Sequence, residues 1–102
     1  MSRHEKDLGE DTISVGWDEP MKTFFAQVRV NQTDDDLRDL PLKLWLGGVK
    51  NEYPDLDGFV QAVEKRGYEL SPSVVNQLRS DWSGTPAADA SRLQADGWKT
   101  MF

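Results

Sequence analysis

The chain has 102 residues, 37% hydrophobic and 10% aromatic, with 12 Lys plus Arg against 18 Asp plus Glu and a formal net charge of −6. That length suits one domain with a modest core, and the acidic balance disfavours ordinary binding to a phosphate backbone. The chain has no cysteine, which excludes disulfides, thiolate catalysis and Cys-based zinc sites.

Residues 1–11 are polar and predict a flexible N-terminal tail. They contain no apolar h-region of a secretory signal, and no apolar run in the chain approaches the ~20 residues of a membrane span. A cytoplasmic protein is expected. The only histidine, His4, falls in this tail, where it has no structured neighbour and is expected to be incidental.

From Thr12 the pattern acquires period two. Ile13, Val15 and Trp17 alternate with Ser14, Gly16 and Asp18, which predicts a strand over 12–18. "DEP" at 18–20 turns the chain, because Pro20 lacks the N–H that a ladder needs. The next strand, 22–30, places Phe24, Ala26, Val28 and Val30 on one face and Phe25, Gln27 and Arg29 on the other. A polar loop with the run Asp34–Asp35–Asp36 follows. Leu42, Leu44 and Leu46 then face one way and Lys43 and Trp45 the other, in a strand over 41–47 that Gly47 and Gly48 end. Three sequential strands most simply form an antiparallel meander.

The period then becomes helical. Leu56, Phe59, Val60 and Val63 predict a helix over 55–66, capped by Asp55 and closed at Gly67. A second helix over 72–82 carries Val74, Val75, Leu78 and Trp82 as one stripe, with Ser71 as N-cap and Pro72 at N1. Thr85-Pro86 opens onto a short third helix through Ala95, or onto a loose end. Trp98 and Phe102 either fold back over the core or form a docking peptide.

The expected fold is α+β: a three-stranded antiparallel meander packed on a helical hairpin. The domain is expected to span 12–82, with 1–11 a tail and 83–102 a C-terminal extension, partly ordered or docked. The predicted core is Ile13, Val15, Trp17, Phe24, Ala26, Val28, Leu44, Leu46, Phe59, Val63, Val74 and Leu78.

Parity sends Phe25 and Trp45 away from that core, as cross-strand or diagonal neighbours on the solvent face beside Gly16. Two readings follow. The rings shield the bare glycine, or they form a docking patch, since aromatics anchor interfaces.

The search for chemistry finds little. "DDD" lacks the spaced ligands, central Gly and distal Glu of an EF-hand loop. No Gly-rich phosphate loop is present, and no serine has a positioned base. The two helices carry too little positive charge for a DNA-reading helix-turn-helix. No catalytic residue, cofactor or metal is therefore expected.

The strings "VGWDEPMKTFFAQV", "LKLWLGG", "PDLDGFVQAV" and "LRSDW" resemble a group of small uncharacterised bacterial proteins that share a Val-Gly-Trp-Asp strand and a later Leu-Trp-Leu-Gly strand. The resemblance covers residues 13–82. It implies a bacterial or mobile-element origin and carries over no functional residue.

The expected function is a small acidic protein-interaction module, a regulator or inhibitor of a larger protein. Phe25 and Trp45 would anchor the contact, with Arg29 and Lys43 on its rim. One alternative is an acidic mimic that blocks a nucleic-acid-binding protein through Asp34, Asp35, Asp36 and Asp39. Another is a homodimer built through the sheet.

Overall fold

The computed structural model describes residues 2–30, 42–84 and 90–100, with Leu42 and Ala90 described by their backbone alone. The strands are β1 (His4–Asp7), β2 (Asp11–Asp18), β3 (Thr23–Val30), β4 (Leu42–Leu46) and β5 (Trp98–Thr100). The helices are α1 (Leu56–Lys65), α2 (Pro72–Ser83) and α3 (Ala90–Ala95). The strands form one five-stranded sheet in the order β4-β3-β2-β1-β5, with every pairing antiparallel.

The expected α+β class and the central meander β2–β3–β4 are present, but the sheet is wider than three strands. The stretch read as a flexible tail contributes β1. Leu8 N–H donates to the Asp11 carbonyl at 2.7 Å, and Gly9 takes a positive φ of 96° in the hairpin between β1 and β2. β1 lies inside the sheet, between β2 and β5. It is polar because its inward residues, His4 and Lys6, meet partners rather than a purely apolar wall. His4 is 1% exposed, and the Lys6 ammonium lies 5.9 Å from the centroid of the Trp98 ring.

All twelve predicted core residues are buried, joined by Leu70, Leu93 and Trp98. Trp17 and Phe24 lie opposite each other in the β2–β3 ladder with ring centroids 4.7 Å apart. Phe24 stacks on Phe59 of α1 at 5.6 Å, and Tyr53 meets that ring edge-on at 6.0 Å. Each fully buried side chain of this size contributes roughly 1.5–3 kcal/mol through burial.

The helix ends follow their residues. The Asp55 carboxylate accepts from Gly58 N–H at 3.1 Å, and Gly67 sits at φ 89° just past the α1 C-cap, Arg66. Ser71 holds the N-cap position of α2 without a side-chain cap bond. Its Oγ accepts instead from Trp98 Nε1 at 3.1 Å. One expectation fails on α2: Trp82, read as part of the apolar stripe, is 53% exposed. Val74 and Leu78 are the buried apolar residues of the helix, and Trp82 lines a depression of about 180 Å³ together with Asp55, Leu56 and Arg79.

The C-terminal stretch is integrated with the domain. α3 places Leu93 in the core, and β5 brings Trp98 alongside Lys6 of β1. Thr85, Pro86 and Phe102 lie outside the described residues. Among the described residues, no helix is long and apolar enough to cross a membrane.

Candidate functional site

The helices cover one face of the sheet. The other face carries Glu5, Ser14, Gln27 and Trp45 as a single row, since the registers Glu5↔Ser14, Ser14↔Gln27 and Gln27↔Trp45 link all four strands. The next row holds Gly16 opposite Phe25. Phe25 is therefore a diagonal neighbour of Trp45, and both line an open depression of about 250 Å³ with Arg3, Asp18, Met21, Gln27, Gly47 and Gly48.

The four residues expected to form the contact have separate fates. Phe25 faces away from the core as parity requires, yet it is only 7% exposed. Its ring abuts Gly16: a Cβ there would stand 2.7 Å from Phe25 Cε1 and 2.0 Å from the Ser2 carbonyl oxygen. Phe25 is therefore a buried wall of the depression and not an exposed anchor. Trp45 is 60% exposed. Its indole leans over Gly48, whose Cβ would lie 3.1 Å from Trp45 Cε2, so the absence of a side chain there gives the ring its seat.

Arg29 lies on this face but is engaged. Its guanidinium donates to Glu5 Oε2 at 2.9 Å, and Arg3 Nε donates to the same oxygen at 3.0 Å. Ser14 Oγ donates to it as well, at 2.8 Å. Burial pushes the Glu5 carboxyl up, but the bonds from Ser14 and Arg3 and the charges of Arg3 and Arg29 outweigh it and hold the group below its usual range. Arg3 and Asp18 both line the depression with Trp45, so the site carries charge of both signs.

Lys43 departs from the expected patch. Val28 pairs with Leu44 and Arg29 with Leu42, so Lys43 is the extra residue at a bulge. Its ammonium turns to Asp11, 3.1 Å away. The hydrogen bond and charge of Asp11 raise the Lys43 pKa above its ordinary value. Alternation alone cannot show this, because the bulge resets the parity. The alternative acidic surface, Asp34, Asp35, Asp36 and Asp39, lies outside the described residues.

The rim of the depression is stitched by backbone. Gly47 takes φ 79°, and a Cβ there would stand 2.1 Å from the Phe24 carbonyl oxygen. The chain beyond it returns along β3. Phe24 N–H donates to the Tyr53 carbonyl at 2.9 Å, Tyr53 N–H to Thr23 Oγ1 at 2.8 Å, and Asn51 N–H to the Met21 carbonyl at 2.9 Å. Trp45 thus stands on a fixed frame.

A second constellation was invisible in sequence. His4, expected to be incidental, is buried between two elements far along the chain. Its Nε2 lies 2.6 Å from Asp81 Oδ2 on α2, and its Nδ1 lies 3.0 Å from Thr100 Oγ1 on β5. Gln77 Nε2 donates to Asp81 Oδ1 at 2.9 Å. Burial raises the Asp81 pKa, but the hydrogen bonds from His4, Gln77 and Ser2 outweigh it and lower it. No local signal marks this set, since its members are brought together only by the pairing of β1 with β5 and the packing of α2 against the sheet. Among the described residues, no three His, Asp or Glu side chains converge as a metal site.

A comparison of this chain with protein-family models, curated proteins and solved structures gives no match.

Proposed function

We propose that this chain is a protein-interaction module that docks a larger partner through the outer face of its sheet, acting as a regulator or inhibitor of that partner. The observation that carries the reading is Trp45: a large aromatic, 60% exposed, fixed over Gly48 at the edge of an aromatic-walled depression. Trp and Arg are among the residues most enriched at energetic centres of interfaces, and Arg3 lines the same depression as Trp45. Phe25 supplies a buried wall, so docking onto Trp45 needs little reordering.

The test compares partner capture by the wild type, Trp45→Ala and Trp82→Ala, each first shown to be folded by circular dichroism. The expected result is retention by wild type and Trp82→Ala and loss of at least tenfold in affinity for Trp45→Ala. Equal retention by all three removes the sheet face from the reading. Binding that survives Trp45→Ala but collapses with added salt favours the acidic surface of Asp34, Asp35, Asp36 and Asp39 instead.

A further inference from the structure

The His4 cluster stands apart from the Trp45 face and has the parts of a nucleophile relay. The Asp81 carboxylate only accepts hydrogen bonds, so the 2.6 Å contact requires His4 Nε2 to carry its proton. In the neutral ring Nδ1 is then a bare lone pair, and the 3.0 Å contact with Thr100 Oγ1 is made by the threonine hydroxyl donating to it. The ring has no freedom to turn: it is 1% exposed, and Gln77 and Ser2 fix the carboxylate behind it. Thr100, in contrast, is exposed. It borders a depression of about 460 Å³ whose other walls are Gln94, Gly97, Trp98 and Lys99.

We propose that Thr100, His4 and Asp81 form an acyl-accepting relay, with Thr100 the nucleophile, His4 its general base and Asp81 the positioning residue, and that the acyl donor is a small activated ester held beside β5. In the step, Thr100 Oγ1 attacks the ester carbonyl carbon while its proton passes to His4 Nδ1. The bond from that carbon to the leaving alcohol breaks, and the alcohol departs with the proton from His4. An ester of Thr100 remains. Water, deprotonated by the same nitrogen, hydrolyses it and returns the hydroxyl.

The probe is p-nitrophenyl acetate on the full chain, followed by p-nitrophenolate release and by peptide mapping of the acetyl group. Treatment with hydroxylamine separates a threonine ester, which it cleaves, from lysine amides, which it leaves. The expected result is acetylation of Thr100 faster than of any other hydroxyl. His4→Gln and Asp81→Asn should each slow it by about a hundredfold or more. Thr100→Ser should keep the reaction and Thr100→Val abolish it. Thr100 is exposed, so these two variants keep the fold even where His4→Gln does not, and lysine amide formation is the internal control in every sample. Labelling of Thr100 no faster than of Ser83 or Ser91 would overturn the proposal. So would labelling that a folded His4→Gln variant leaves unchanged, or a His4 ring found by nitrogen NMR to be doubly protonated at the reaction pH.

Discussion

A methyl group added at Gly16 would meet the Ser2 carbonyl oxygen, a backbone atom, at 2.0 Å and the buried Phe25 ring at 2.7 Å. Gly16→Ala is therefore expected to cost about 1–3 kcal/mol through overpacking, read from urea unfolding midpoints. Trp45→Ala removes a ring of which more than half already faces water, and its stability should stay within about 0.5 kcal/mol of wild type. Glu5 sets a pH dependence. Its folded pKa lies below its unfolded value of about 4.3, so its contribution is fully present above that pH and is lost as pH falls through the lower folded value. Glu5→Gln should be less stable than wild type at pH 7 by about 1 kcal/mol, and the difference should shrink below about pH 4. A pH series of unfolding curves checks both ends. The alternation of Phe24 and Phe25 was legible as a choice of faces. The burial of Phe25 was not, because it depends on Ser2, which the sequence places in an unstructured tail.

At the scale of elements, legibility follows the source of the stabilisation. β2, β3, α1 and α2 bury apolar faces of full length, and their periods announce them within a residue or so of the observed ends. β1 is four polar residues whose inward pair is satisfied by Asp81, Thr100 and Trp98, and no periodicity of hydrophobic residues can report such a strand. β5 has three residues, too few for any period. Caps behave as their chemistry predicts where the geometry allows. Asp55→Ala should lower stability by about 1 kcal/mol in denaturant melts, since it removes the acceptor for Gly58 N–H. Because β1 is interior, removing residues 2–7 should strip β5 of its ladder as well. Hydrogen exchange on such a truncation should show lost protection at 98–100 together with exposure of the β2 edge.

For the whole molecule, the four tryptophans divide by layer. Trp17 and Trp98 are in the core, Trp45 stands on the outer face of the sheet and Trp82 on the helical side. Acrylamide should quench the fluorescence of Trp45 and Trp82 readily and reach the other two only on unfolding. Single-tryptophan variants make the assignment. Trp98→Ala should cost about 3–5 kcal/mol, the range for a buried aromatic deleted from a core. The α+β class was legible because one half-apolar meander and two amphipathic helices already specify two layers. The full width of the sheet was not, because β1 is polar and β5 is three residues long, and neither carries an apolar period.

The pairing of β1 with β5 also governs how the chain must assemble in time. His4 and Thr100 are separated by 96 positions, whereas β2, β3 and β4 meet through neighbours in sequence. Closing a loop of that length is entropically slow, so a folding chain forms the meander and helical hairpin first and closes the β1–β5 seam last. During that interval the outer edge of β1, which β5 later covers, is bare, and the chain is most exposed to mispairing with another copy of itself.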